Sequence, residues 1–301
     1  MFRVMVEFKQ GFIDRYKKIT DIDKFMEYSV KPLRKCIRIN TLKISNKKLL
    51  DRMKEYKFEK IKWCDVGYYI EGPRTDLGNL LEHSLGYFYV QDAASMIPPL
   101  VLEPKGLVLD MAASPGSKTT QMAAMMKNKG IIIANDVENK RMKSLSSNLQ
   151  RCGVSNVVVT KMHAQAFKNL QCDSILLDAP CSGSGIIRKS LNTLKIWNPK
   201  MIKKLAGVQK QLILTAYNCL KKNGTLVYST CSVDPEEDEG VVSHLLDETD
   251  AKVEKINLNI KRSDAILEDD VSYNSKVKDC LRIWPQDNDS EGFFIAKISK
   301  G

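Results

Sequence analysis

Long apolar runs are missing from this 301-residue chain. No stretch approaches the ~18 consecutive apolar residues of a membrane-spanning helix. The N-terminal run MFRVMVEFKQGF is interrupted by Arg3, Glu7 and Lys9 before a signal-peptide core can form. The chain is therefore expected to be soluble and cytoplasmic, with no membrane partner. Histidine is scarce, with three residues, and the eight cysteines (36, 64, 152, 172, 181, 219, 231 and 280) stand singly with no C-x-x-C pair. That spacing argues against a zinc site, and no metal is expected. In a reducing compartment most of these thiols should act as small buried hydrophobes. Internal repeats and low-complexity tracts are also absent, which excludes a solenoid.

What is present is enough apolar material, 43% of residues, for one full α/β domain and a smaller appendage. The division expected is a small α+β unit over residues 1–85 and a larger domain over 86–301. The formal charge of +11 favours an acidic polymer as partner, because each neutralised phosphate releases counterions. Residues 1–85 hold 19 Lys and Arg against 12 Asp and Glu, so much of the excess lies there. Charge alone does not separate RNA from DNA.

From Leu107 onward, short β-branched runs alternate with helical segments, as in a parallel sheet covered on both faces. The spacing predicts seven strands, at Leu107–Asp110, Ile131–Asn135, Val157–Thr160, Ser174–Asp178, Thr225–Ser229, Lys252–Ile256 and Phe293–Ile298. This number suits a Rossmann-like sheet. A helix should start near Pro199, carry Ile202, Leu205, Val208, Leu212, Ala216 and Leu220 on one face, and stop at Gly224. Its Lys203, Lys204 and Lys210 suit a solvated face. The acidic cluster Glu236–Glu239 suits a helix N-terminus. In the N-terminal unit a helical start is followed by Cys36–Asn40 as a half-buried strand, a helix around Lys47–Tyr56 and a strand at Tyr68–Ile70. Pro98-Pro99 should keep a regular helix from running through Gly86–Pro104.

The chemistry concentrates at strand ends. Asp110 closes the first predicted strand and is followed by a loop of mostly small residues, Ala112, Ala113, Ser114, Pro115, Gly116 and Ser117, leading through Lys118 into a helix. At such a turn a ligand meets backbone N–H groups and the helix dipole. A phosphate-binding P-loop needs glycines where Ala112 and Ser117 stand, and the G-x-G-x-x-G of dinucleotide sites is absent. An adenosyl ligand fits better. Asp136 ends the second strand, where an acid can accept both hydroxyls of a ribose.

Asp178-Ala179-Pro180-Cys181-Ser182-Gly183 follows the fourth strand and Thr230-Cys231-Ser232 the fifth, so both cysteines lie at the carboxyl edge of the sheet. A thiol in that position suits methylation of a pyrimidine carbon. Carbon 5 of cytosine is too electron-poor to accept a methyl group directly. Addition of a thiolate at carbon 6 makes carbon 5 nucleophilic, and a base must later remove the carbon-5 proton so that the thiolate can leave.

These segments, with Ile37-Arg38-Ile39-Asn40-Thr41, Tyr89-Val90-Gln91-Asp92-Ala93-Ala94-Ser95 and Glu291-Gly292-Phe293-Phe294, resemble the Nop/Sun family of RNA 5-cytosine methyltransferases, which includes the bacterial RsmB enzymes. The resemblance runs from about Arg38 to the C-terminus. It implies a Rossmann-like seven-stranded methyltransferase sheet with a small N-terminal RNA-binding domain, and S-adenosyl-L-methionine as cofactor. It implies Cys231 as nucleophile, Cys181 as the cysteine that assists release of methylated RNA, and Asp178 as the acid near the target base. Lys118 would face the reaction centre, Ala112–Lys118 would form the cofactor loop, and Asp136 would bind the ribose.

Three positions depart from the family pattern. Ala112 and Ser114 stand where relatives often have Cys and Ala. His163 replaces the usual adenine-side Asp and is assigned to the cofactor site through its acceptor nitrogen or by stacking. Gln286-Asp287 stands where many relatives show Pro-His. Arg188, Lys189, Lys195 and Trp197 suit phosphate contacts and base stacking. The RNA partner is expected to be tRNA in preference to rRNA, and the protein a monomer. The rivals are a ribosome-assembly factor that keeps the fold but works by binding, and a DNA cytosine methyltransferase, which would use the Pro-Cys cysteine after the fourth strand as its nucleophile.

Overall fold

A computed structural model describes residues 7–301, so the expectation drawn from Arg3 and its neighbours lies outside the described residues. The chain builds two sheets. In the smaller, β1 (Cys36–Ile39), β2 (Lys57–Lys60), β3 (Gly67–Glu71) and β4 (Phe88–Val90) lie in the order β2-β3-β1-β4, all antiparallel. The larger holds β5 (Leu107–Asp110), β6 (Ile131–Asp136), β7 (Val157–Lys161), β8 (Cys172–Asp178), β9 (Leu220–Thr230), β10 (Lys252–Glu254), β11 (Leu281–Ile283) and β12 (Phe293–Ser299). Its order is β10-β12-β9-β8-β5-β6-β7, with β11 added beside β12.

Strands β5 to β9 are mutually parallel and β12 runs against β9. All seven predicted strands form. The three-residue β11 is too short for its periodicity to show. Successive connections leave β5 in opposite directions, so a crevice opens beyond the carboxyl ends of β5 and β8, where ligands bind in such sheets.

The helix Pro199–Asn218 starts as expected, with Asn198 accepting from the Lys200 N–H. It buries Ile202, Ala206, Gln209, Leu212, Ile213 and Ala216, at the three- and four-residue steps of one face. It does not reach Gly224. Leu220 is already paired opposite Cys172 in the sheet, and Asn223 takes the positive φ of 60° at the bend. Pro98 and Pro99 likewise do not prevent a helix, because they occupy the first turn of Ile97–Leu102, where no N–H is needed.

Strand β1 is buried throughout, not half-buried. Ile37 and Ile39 fill the small domain's core with Leu49, Met53, Tyr68 and Phe88. Arg38 points the other way, into the larger domain. Its guanidinium donates to Gln91 Oε1 at 2.7 Å and Thr120 Oγ1 at 2.8 Å. Asn40 Nδ2 bonds the carbonyls of Gly86 and Cys152, both at 2.8 Å. The Ile37–Thr41 motif therefore joins the two sheets.

The helical start consists of Gln10–Tyr16 and Ile22–Val30, which pack on the large domain. Phe12, Tyr16 and Phe25 enclose Trp197, Ile202, Val233 and Trp284, and Trp197 Nε1 donates to Tyr16 Oη at 3.1 Å. Trp197 is core, and its assignment to base stacking is withdrawn. Among the described residues no helix is long and apolar enough to cross a membrane.

Candidate active site

Beyond Asp110 the chain turns sharply into the helix Ser117–Met125. Gly116, at φ 102°, makes the turn, and a Cβ there would also lie only 3.1 Å from Leu145 Cδ1. The loop is tied to the next strand end. Ala113 N–H donates to Asn135 O at 2.7 Å, and Ser114 N–H donates to Asp136 Oδ2 at 3.2 Å. Asp136 is buried and also accepts from the Glu138 N–H.

Arg141 reaches both partners, bonding Ser114 O at 3.0 Å and lying 3.5 Å from Asp136. Asp110 is fully buried, accepts from Thr119 Oγ1 at 2.7 Å, and has its second oxygen without a partner. Burial pushes its pKa up to about 7, against the opposing Thr119 bond. Ser114 Oγ is also buried and unpartnered.

Two cavities flank this loop. One of about 400 Å³ is lined by Met111, Asp136, Val137, Met162 and His163. The other, about 450 Å³, is lined by Tyr89, Asp92, Lys118, Lys189, Glu291 and Phe293. Ala112, Ser114, Arg141, Asp178 and Cys231 line both. Ala113, Pro115, Ser117 and Lys118 face the second cavity, whereas Gly116 lines neither and serves the turn. His163 is exposed at the rim of the first, on a turn fixed by Asn135, which bonds Met162 N–H and O at 3.1 and 3.0 Å.

The thiols meet because β8 and β9 are paired neighbours, with Asp178 opposite Ser229. Residues just past the two strand ends are thereby brought together, and Cys181 Sγ stands 3.0 Å from Cys231 Sγ. Gly185 permits this approach. Its N–H donates to Cys231 O at 2.9 Å, and a Cβ on it would stand 2.4 Å from Gly292 O. The other six cysteines are buried.

Lys118 Nζ lies 2.6 Å from Asp178 Oδ2, and Ser229 Oγ donates to Asp178 Oδ1 at 2.7 Å. Burial alone would lower the pKa of Lys118, but the Asp178 carboxylate outweighs it and the net direction is up. Cys181 is held well above the ordinary thiol range by its bond to Cys231 and by burial, so it is kept protonated.

The acidic cluster does begin a helix, Glu239–Glu248, but its charges are not solvated. Glu237, Asp238 and Glu239 are completely buried. Arg282 donates to Glu239 Oε1 at 2.8 Å, Asp238 Oδ2 at 3.1 Å and Val233 O at 2.9 Å. Arg15 reaches across from the N-terminal helix to Asp234 at 3.0 Å and to Glu236. The segment after Cys231 is thus anchored by two arginines distant in sequence.

Arg188 is structural, with a buried guanidinium donating to Lys31 O, Pro32 O and Ser290 O. Its phosphate role is withdrawn. Lys189 does face the second cavity, paired with Asp92 at 2.6 Å. Lys195 is exposed on the short helix Asn192–Ile196. Asp92 and Glu291 stand within two of the family-like motifs, where nothing in the sequence signals a role for either. They form a carboxyl pair in the cavity wall, and burial together with Asp92 raises the pKa of Glu291 well above normal.

The sheet order, the acid at each strand end and the crevice between them define a Rossmann-like methyltransferase. Residues 99–299 match the family model described as 16S rRNA methyltransferase RsmB/F, and residues 8–93 match the N-terminal domain of 16S rRNA methyltransferase RsmF. The chain belongs to the RsmB/F methyltransferase family. It is 46% identical to a tRNA (cytosine(49)-C(5))-methyltransferase of Pyrococcus abyssi, with 98% of each chain covered. It is 42% identical to ribosomal RNA small subunit methyltransferase F of Shewanella piezotolerans, where it covers 98% of its own length but 65% of that protein. The solved structure of NSun6 from Pyrococcus horikoshii with SFG superposes with a TM-score of 0.87 at 26% identity, covering 98% of this chain and 99% of that one.

Proposed function

We propose that this protein transfers a methyl group from S-adenosyl-L-methionine to carbon 5 of a cytosine in RNA, tRNA in preference to rRNA, through a covalent Cys231–cytosine adduct. The observation that carries the reading is the position of Cys231, beside Cys181 and Asp178, where two cavities adjoin. The near-full-length similarity to a tRNA methyltransferase favours tRNA.

The residues fit the cofactor. Ser114, whose Oγ is buried without a partner, lines both cavities, and its hydroxyl is left for a ligand. Asp136 suits the ribose hydroxyls, while Met162 and His163 suit the adenine. When bound there, the cofactor supplies an electrophilic methyl group. The second cavity then receives the flipped base.

Cys231 adds to carbon 6, and Asp178, held by Lys118 and Ser229, bonds the pyrimidine edge as charge moves into the ring. After transfer the carbon-5 proton passes to water, its electron pair re-forms the carbon 5–carbon 6 double bond, and the carbon–sulfur bond breaks to release the Cys231 thiolate. Cys181 adjoins that sulfur and assists this step. Residues 1–85 contribute the RNA grip through their basic excess, and residues 86–301 carry out the transfer.

Bisulfite sequencing of total RNA with and without the gene tests reaction and substrate together. Loss of one protected cytosine in tRNA is the expected result, and an unchanged RNA profile rejects the reading. Cys181→Ala should trap protein on RNA as a slow band on a denaturing gel. A clean gel from an active variant would remove Cys181 from the release step.

A further inference from the structure

Glu237 is completely buried six residues after Cys231, yet its side-chain contacts converge on the loop of the other thiol, Cys181. Its carboxylate accepts from the Ser182 N–H at 3.0 Å, from Ser182 Oγ, and from Gln209 Nε2 at 3.0 Å. Gln209 Nε2 also donates to Pro180 O at 2.8 Å. The residues on both sides of Cys181 are thereby tied to one side chain and its helical partner.

The backbone of Glu237 is fixed as well. Its carbonyl accepts from Tyr228 Oη at 2.5 Å, and Tyr228 lies three residues before Cys231 on β9. The clamp therefore spans both thiol-bearing loops. A buried carboxylate is costly unless its lone pairs are met by donors. Here the donors come from the Cys181 loop and the helix Pro199–Asn218, which is a reason for the charge to sit there.

We propose that Glu237, with Gln209, is a positioning residue that holds the Pro180-Cys181-Ser182 loop so that Cys181 Sγ stays against Cys231 Sγ. The inference rests on the covalent reading above. A loop released from this clamp leaves Cys231 able to attack but removes Cys181 from the sulfur it must assist. The consequence falls on release and not on attack.

The test compares Glu237→Ala, Glu237→Gln and Ser182→Ala with wild type and with Cys181→Ala, using full-length protein, substrate RNA and adenosylmethionine. Three quantities are measured: protein–RNA adduct on a denaturing gel, methyl transfer in a single turnover, and steady-state kcat. Loss of a charge-accepted hydrogen bond corresponds to on the order of ten-fold. Glu237→Ala should therefore show about ten-fold lower kcat with adduct accumulating and first-turnover transfer retained. Glu237→Gln, which keeps an acceptor, should recover part of kcat and reduce the adduct.

Ser182→Ala removes the hydroxyl's contacts, with Glu237 and at 3.4 Å with Ser232 and Asp234, but keeps the Ser182 N–H bond to Glu237; it should give a smaller rise in adduct, which keeps the test valid if Glu237→Ala does not fold. A fall in single-turnover transfer without adduct, in either folded variant, would reduce Glu237 to a packing role and overturn the proposal. So would unchanged kcat in both Glu237 variants. If Cys181→Ala accumulates adduct and the Glu237 and Ser182 variants do not, the inference fails while the covalent reading stands. If wild type methylates no cytosine in RNA, the reading itself fails.

Discussion

The two halves of the crevice are built by different means. On the Asp136 side, small residues and main-chain groups shape the site, with Ser114 N–H on Asp136 and Ala113 N–H on Asn135 O. On the thiol side, long charged side chains fix the loops from behind, through Arg282 with Asp238 and Glu239, Arg15 with Asp234, and Glu237 with Ser182. The first kind of site is local to one loop and two strand ends. The second needs partners as far apart as Arg15 and Asp234. A loop that receives a ligand can be built from neighbours, whereas two sulfurs held 3.0 Å apart on separate loops need support from elements that the sequence does not place nearby.

That comparison is sharpest where a substitution affects one half alone. Cys231→Ala should abolish methyl transfer while leaving adenosylmethionine affinity, measured by calorimetry, nearly unchanged. Retained turnover would reject the nucleophile, and combined with loss in Cys181→Ala would favour the Pro-Cys cysteine in its place. Arg282→Ala leaves two buried carboxylates without their cation and should cost about 3–5 kcal/mol in chemical denaturation. A loss under 1 kcal/mol would mean that the thiol side does not depend on its charged support.

Asp110 belongs to the other half and links it to pH. The folded chain keeps its proton up to about 7, whereas the ordinary value is 3.8. Between those pH values the unfolded chain has released a proton that the folded chain retains. Stability therefore falls as pH rises through this window, by up to about 1.4 kcal/mol per unit. Asp110→Asn should flatten that fall in a series of melting temperatures, and parallel curves for the two proteins would show that Asp110 is not its source. Asp136→Ala should have the smallest effect, weakening adenosylmethionine by roughly ten-fold, or about 1.4 kcal/mol, with no adduct on RNA. Equal affinity by calorimetry would leave Asp136 only its loop-bracing role.

Legibility followed the same division. The strand ends at Asp110, Asp136 and Asp178 were evident because β-branched runs and their terminating acids are contiguous in sequence. The six buried cysteines and the two partly exposed ones also separated correctly, since Cys181 and Cys231 alone follow strands β8 and β9 directly. Trp197 and Arg188 were misread because an aromatic and a cation near a site look alike whether they face solvent or a second layer of protein. Phe12, Tyr16 and the carbonyls of Lys31 and Pro32 decide the matter, and they lie more than 150 residues away. The acids at 236–239 suggested a helix start, which they are, but nothing local announces that Arg282 buries two of them.

By itself the sequence determined the strand series, the small-residue turn after Asp110 and the placing of two cysteines just past strand ends, because each depends on residues that are neighbours in the chain. Only the tertiary structure decided that those cysteines touch, that Lys118 pairs with Asp178, and that Arg38 joins the two sheets. Those outcomes depend on strand order and on burial, which bring distant side chains into one low-dielectric space where an unpaired charge is too costly to leave.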